Sequence, residues 1–503
     1  MESLLRKRLD KMLVQRLPLK LAGNPSRVLT RIFIPGDEEL IRGQSRVKDV
    51  IKRAMELSED EVIVTLTETL RKFGNRHRDL IHQFETHFDA VSHLMEPHDF
   101  ITDARKYLIG AYCTMEYTFE STAYFNPSMV AHFDQSEMSD GELRIILTVR
   151  TIGEGHISTL VFRTGKLTAD GSVIIDPVGN FASTRARRYT VLRPKLVEQS
   201  AIDAGIDITE LQVVLGMMPA TFTPEELHTS LTLLNHPGAL PVQIDEILAT
   251  VDRLSLSSYE VDFMEETELS ERVLWPSSRD ERRGIEDARF VQFTDRDGIV
   301  NYRGTYTGFD GTAVVSRLLE TTDFRCFSSV ALSGPAARNK GMALFPRLVN
   351  GQYCALSRWD GENSYISFSQ DGYHWNNSIP IEVSHSPRNL VHVGNNGSPI
   401  ETDEGWLVIT HGTGPMRQYS LGALLLDLDD PTIVIGTLSS ALLQPDEDER
   451  NGYVPNVVFS CGSLVHKGNL IIPYGYGDYR IGFLRVALNE LLREIKSSKA
   501  LAA

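Results

Sequence analysis

Turn dipeptides ending in glycine return along this chain at a nearly constant interval. The glycines of Asp297-Gly298, Asn350-Gly351, Glu404-Gly405 and Lys467-Gly468 stand 53, 54 and 63 residues apart, and Asp140-Gly141 lies 157 residues before the first of them. Each dipeptide separates two β-type runs, and Asn-Gly and Asp-Gly are strong hairpin signals because both central positions tolerate positive φ. Several short strands per unit at a period of about fifty residues predict an all-β, five-bladed β-propeller. The long first gap holds one repeat plus a helical insertion between blades one and two. A β-sandwich followed by another domain would not need so regular a period.

Two stretches outside the repeat read as helical. Leu4, Leu5, Leu9, Met12 and Leu13 recur at helical spacing. Ser58-Glu59-Asp60-Glu61 forms a capping box, and Leu80, Ile81, Phe84, Phe88 and Val91 share one face of the segment from Arg76 to Leu94. His77, His82, His87 and His93 in that segment do not stack on one face, so they are expected on solvated helix surface rather than around a metal. Further on, Thr223-Pro224-Glu225-Glu226 combines an N-cap, Pro at the first helical position and an acidic first turn. His236-Pro237-Gly238 stops that helix, and Ile244, Ile247, Leu248 and Val251 suggest another. The expected organisation is a helical N-terminal region over 1–105, blade one over 106–189, a helical insertion over 190–255, blades two to five over 256–490, and a C-terminal tail over 491–503.

Asp and Glu number 67 against 51 Lys and Arg, a net charge of −16 that argues against nucleic acid as a partner. An anionic ligand would have to be met by a local basic pocket. Cys113, Cys326, Cys354 and Cys461 are scattered without a C-x-x-C pair and read as small apolar core residues rather than a zinc or redox site. No membrane span is expected, and the first twenty residues interleave basic residues with leucines instead of forming a secretory signal. A cytoplasmic protein is the expectation.

In a hairpin, the start of the first strand and the end of the second lie together, away from the turn. Before the five glycines these positions are Asn126, Asp287, Lys340, His392 and Asn456; after them they are Arg150, Tyr306, Arg358, His411 and Tyr474. The strand interiors between are apolar, so in a propeller these polar ends would ring the mouth of the central channel and form a ligand pocket. The densest cluster is Glu286-Asp287-Ala288-Arg289. A carboxylate beside an arginine there is an ordinary ion pair or a positioned acid. Glycosidic cleavage needs such an acid; an inverting hydrolase needs a second carboxylate for water, whereas a phosphorolytic enzyme needs cations to hold the phosphate dianion.

Read together, Gly284-Ile-Glu-Asp-Ala-Arg289, Asn339-Lys340-Gly-Met-Ala-Leu-Phe-Pro, Leu-Ser-Arg358, Gly394-Asn-Asn-Gly-Ser-Pro-Ile400, Gly405-Trp-Leu-Val-Ile-Thr-His411-Gly412, the run from Tyr419 to Pro431 and Tyr474-Gly-Tyr-Gly-Asp478 resemble glycoside hydrolase family 130. That family comprises β-mannoside phosphorylases and related β-mannosidases on five-bladed propellers. The resemblance implies Asp287 as proton donor, acting through the mannose 3-hydroxyl. It implies Arg358, His411 and Tyr419 around phosphate with Lys340 close by, and Asn126, Arg150 and Asp478 along the sugar; Glu286, Arg289 and Tyr306 join the substrate site by their places at the mouth. Ala288 replaces the usual proline. His392 stands where phosphorolytic members commonly carry lysine, which either weakens phosphate binding or lets a protonated imidazole substitute.

The expected activity is inverting β-mannoside phosphorolysis, with inorganic phosphate as co-substrate, no cofactor and no metal. An inverting β-mannosidase using Glu286 or Glu154 as base, and a non-catalytic glycan-binding propeller, are the alternatives. The helical additions would shape an acceptor subsite or the interface of a homo-oligomer.

Overall fold

The structure, a computed structural model, describes residues 14–35, 46–95, 100–184, 186–190, 192–203, 205–233, 246–252, 257–383 and 389–500. The fold is mostly β. All five glycine turns join antiparallel strands, and Gly141, Gly298, Gly351 and Gly468 take φ between 76° and 81°. Leu143–Ile152 follows the first of these turns, Val300–Phe309 the second and Tyr353–Ser357 the third; Gly405–Thr413 starts at the fourth, and Asn469–Tyr476 follows the fifth.

Two antiparallel meanders, Ala123–Ala131/Leu143–Ile152/Ser158–Leu167 and Gly284–Thr294/Val300–Phe309/Val314–Thr321/Cys326–Ala331, are linked into one sheet by a single parallel pair, Ser158 with Gly284. A third meander runs from Ala343–Leu344 to Asn377–Pro380 and a fourth from His392–Asn395 to Val434–Thr437. The last contains Val458–Phe459, Asn469–Tyr476 and Arg480–Ala487, and its outer strand is Val14–Ala22 from the other end of the chain.

That last strand corrects the expectation of a wholly helical N-terminal region. Leu17, Leu19 and Leu21 alternate at the period of a strand and pack inward, and Pro18 bars a helix while being tolerated on a sheet edge. Val28–Ile32 is also a strand, paired with Thr114–Thr118. The leucines from Leu4 to Leu13 lie outside the described residues. Helices do follow: Arg46–Glu56, Glu59–Phe73, Leu80–Ser92 and Asp103–Tyr112. Ser58 and Glu61 form the capping box read from the sequence.

His77 and His87 are buried rather than solvated: His77, in the loop before Leu80–Ser92, lies against Glu116, and His87, on that helix, lies against Thr114 Oγ1, both on the Thr114–Thr118 strand. Cys326 is exposed beside Asp262 at the start of its strand, whereas Cys113, Cys354 and Cys461 are buried as expected.

The insertion is helical over Pro194–Asp203, Thr209–Met217 and Pro224–Leu233, the last capped reciprocally by Thr223 and Glu226. It has its own core around Val197, Leu211, Val214, Leu227 and Val251. His236-Pro237-Gly238 and Ile244 lie outside the described residues. The expected C-terminal tail is instead a helix, Leu488–Ala500, whose Leu491, Leu492 and Ile495 are buried against Leu407, Leu425 and Leu470. Their i, i+1, i+4 spacing is the apolar stripe of a packed helix. Among the described residues no helix is long and apolar enough to cross a membrane.

Candidate active site

Two hairpins carry the same irregularity at the same place. Pairing of Ala123–Ala131 with Leu143–Ile152 loses register between Phe125 and Ser128, and pairing of Gly284–Thr294 with Val300–Phe309 loses it between Glu286 and Arg289. A bulge of this kind re-aims a side chain. The residues inside the two bulges, Asn126 (φ 49°) and Asp287 (φ 54°), take left-handed backbone, as does Asp478 (φ 51°) in the turn before Arg480–Ala487. Short Asn and Asp side chains tolerate that region better than other non-glycine residues. Asn126 Nδ2 donates to Asp287 Oδ1 at 2.6 Å.

Arg150 bridges the acidic cluster. Its Nη1 donates to Asp287 Oδ1 at 2.8 Å and its Nη2 to Glu286 Oε1 at 2.5 Å, while its guanidinium lies 4.8 Å from the Phe125 ring centre. Burial pushes the Asp287 carboxyl up, but Arg150, Arg289, Lys340 and the Asn126 hydrogen bond outweigh it and hold the group at about 2. Asp478 goes the other way: burial and the charge of Asp287 raise it to about 7 against the pull of Arg150. Two carboxyls in one pocket are thus driven apart.

Across the pocket the residues are cationic or aromatic. Arg358 Nη1 reaches His392 Nε2 and, at 3.3 Å, His411 Nε2; the two imidazole nitrogens are 3.0 Å apart. The Tyr419 ring stacks on His411 with centroids 6.0 Å apart. Burial, then the neighbouring Arg289, lowers the Arg358 pKa, and among the described residues no carboxylate forms an ion pair with Arg358, Lys340 or Arg289. Gly394 makes this arrangement possible, since a Cβ there would lie 2.5 Å from Arg358 Nη1. Arg289 sits between the two ends, donating from Nε to Asn396 O at 2.5 Å and from Nη1 to Asp287 O at 3.0 Å.

Asp287, Asn126, Arg150, Arg289, Asp478, Lys340, Arg358, His392, His411 and Tyr419 therefore line one cavity of about 230 Å³. Glu286 stands behind it, engaged by Arg150. Tyr306 does not reach it. Its hydroxyl is buried against Glu281 Oε1 at 2.5 Å and accepts from Arg317 Nε at 2.8 Å, because it projects from its strand toward the sheet interior. Tyr474 is turned away in the same manner, onto Glu449 at 2.6 Å, and Asn456 accepts from Arg450 outside the lining.

The Tyr306 cluster is structural. Glu281 and Arg317 are fully buried and paired at 3.2 Å. Glu281→Ala would leave the Tyr259 and Tyr306 hydroxyls without their carboxylate acceptor and Arg317 with Asp280, at 3.2 Å, as its remaining ion-pair partner among the described residues, and a loss of about 1–3 kcal/mol in urea-unfolding free energy is expected. The sequence reading missed Arg417, Asn395 and Phe125 in the lining. Arg417 precedes Tyr419 by two positions, Phe125 precedes Asn126, and Asn395 lies within the Gly394–Ile400 run without having been given a role of its own.

A 1,2-β-oligomannan phosphorylase of Thermoanaerobacter sp. (strain X514) is 35% identical over 230 residues, spanning 44% of this chain and 75% of that protein. The chain belongs to glycoside hydrolase family 130. A family 130 profile described as β-1,4-mannooligosaccharide phosphorylase matches residues 252–497. A β-1,2-mannobiose phosphorylase of Listeria innocua is 31% identical over 237 residues, covering 44% of this chain and 63% of that protein. A solved β-1,2-mannobiose phosphorylase from Listeria innocua, in complex with β-1,2-mannobiose, aligns over 76% of this chain and 93% of its own at 21% identity and a TM-score of 0.44. Within this family 130 chain, Asn126 and Arg150 precede the stretch matched by the profile and reach Asp287 through the fold.

Proposed function

We propose that this chain is an inverting β-mannoside phosphorylase. Phosphate attacks C1 of a terminal β-mannosyl residue, Asp287 supplies the proton to the leaving oxygen by way of the sugar's 3-hydroxyl, and α-mannose 1-phosphate is released. Phosphate is the co-substrate and no cofactor takes part. The observation that carries the reading is the half-buried Arg358 guanidinium, whose Nε has no hydrogen-bond partner and which, among the described residues, forms no ion pair with a carboxylate; it shares the cavity with Lys340, Arg289 and His411. A charge drawn partly out of water is costly unless an anion pairs with it. Asn126, Arg150 and Asp478 hold the sugar, and Tyr419 and His411 border the phosphate.

The hydrolytic alternative finds less support. Glu286 is committed to Arg150, and Glu154 is exposed outside the cavity lining. The other carboxylate in the lining, Asp478, shares Arg150 with Asp287. The five meanders suit five propeller blades, with Val14–Ala22 completing the last and the helices Pro194–Asp203, Thr209–Met217 and Pro224–Leu233 inserted between the first two. On this reading the helical additions border the acceptor side or join copies of the chain, and the protein acts in the cytoplasm, where a sugar phosphate is retained.

Incubation with β-mannobioses of each linkage, with and without phosphate, tests the proposal. Phosphate-dependent release of α-mannose 1-phosphate is expected. Free mannose formed equally fast without phosphate would establish the hydrolase instead.

A further inference from the structure

In a site meant for an oxyanion, every inward-facing group should offer a hydrogen to donate. His392 does not. The guanidinium has five N–H donors and no acceptor. Arg358 Nη1 points at His392 Nε2, so that nitrogen must present its lone pair. His411 Nε2, 3.0 Å away, also faces it. In the free protein His392 is therefore a neutral acceptor lying on the cation that the proposed reaction uses to hold phosphate. Phosphate oxygens are acceptors too, and they would meet this lone pair unfavourably.

The surroundings explain why the imidazole stays neutral. The charged and titratable groups facing it are Arg358, Lys340 and His411, with the Tyr419 ring at 6.5 Å. Among the described residues no carboxylate faces it. Burial, then Arg358 and Lys340, lowers it to about 4. In the ligand-free chain the neighbouring cations keep the proton off, where a lysine would be charged throughout. A dianion bound between Arg358 and Lys340 offsets that field, and an opposite charge within about 4–6 Å favours the protonated imidazole.

We propose that His392 takes up a proton from solvent as phosphate enters, releasing Arg358 from the imidazole and turning His392 from an acceptor on the guanidinium into a donor to the anion. When the sugar phosphate departs, the proton returns to solvent and the imidazole settles back on Arg358. The proposal rests on the phosphorylase reading and adds to it a phosphate site charged by its own ligand. A lysine at this position would carry its charge permanently; the histidine makes binding depend on pH.

Sulfate is the suitable probe, because it keeps its two charges across the neutral range. Its binding is measured by titration calorimetry between pH 6 and 8, in buffers of different ionisation enthalpy, for the wild type, His392→Gln and His392→Lys. Asp287 faces the same anion in the wild type and in His392→Gln, so the difference between these two isolates His392. The wild type is expected to take up about one proton more than His392→Gln, and its sulfate affinity to fall about tenfold more steeply per pH unit. His392→Lys should lack that extra proton and bind sulfate more tightly than the wild type at pH 8. Equal proton uptake in the wild type and both variants would overturn the role of His392 while leaving phosphorolysis intact. A wild type that binds mannobiose but neither sulfate nor phosphate would overturn the phosphorylase reading itself, and this proposal with it.

Discussion

Asp287→Asn is expected to lower turnover by at least about 10²-fold, the scale of losing a general acid, while the protein stays folded. Asparagine matches the shape of the carboxyl and can keep the contact with Arg150 through its amide oxygen, and Glu286 remains on the other arm of that guanidinium. The measurement is phosphorolysis at saturating mannoside and phosphate, with the thermal melt as a folding control. Near-normal turnover would remove Asp287 from the mechanism.

The pH profile offers a finer check on the same residue. In the free protein Asp287 sits at about 2 and is ionised at neutral pH, whereas a donor must hold its proton. Two of the cations that depress it, Arg289 and Lys340, also line the anion end of the cavity. Phosphate bound there offsets their field and raises Asp287. The acid is active when protonated, so turnover in the ternary complex should fall as pH rises through this raised value. The corresponding ionisation in the free enzyme should lie much lower.

Arg358→Ala should act on the other substrate. Loss of a charge-assisted hydrogen bond of about 1.5–3 kcal/mol corresponds to a rise of roughly 10- to 150-fold in the apparent phosphate KM, or to loss of measurable phosphorolysis. Mannoside binding, measured directly without phosphate, should change far less, because Asn126, Arg150 and Asp478 stand on the opposite side of the cavity around Asp287. Equal damage to both substrates would place Arg358 in general support of the pocket rather than at the phosphate. The contrast between the two variants separates the acid from the anion site within one cavity.

Some of this architecture is written in local chemistry. The glycine turns were legible because a hairpin needs positive φ at specific positions, and Gly141, Gly298, Gly351 and Gly468 adopt it. From the turns, strand direction alone places Asn126, Arg150, Asp287, Lys340, Arg358, His392 and His411 on one rim, and all seven line the cavity. The capping boxes at Ser58 and Thr223 were equally local. Val14–Ala22 was misread as helical because its partner strand lies at the far end of the chain, and only that pairing turns an ambiguous leucine pattern into a strand.

Side-chain direction at the rim was not local. Tyr306 and Tyr474 occupy places equivalent to Arg150 and His411 along their strands, yet buried Glu281 and Glu449 draw their hydroxyls into the interior. The state of each ionisable group was further still from the sequence. A histidine near other cations reads as a candidate phosphate ligand; the fold sets Arg358 against it, draws both partly out of water and holds its pKa below the ordinary imidazole value. Residue types and their spacing by themselves determined the repeat, the turns and which polar groups share a rim, because these follow from backbone geometry over a few residues. The tertiary structure alone decided which groups face the cavity and what charge each carries there, because burial and through-space charge depend on neighbours brought together from distant parts of the chain.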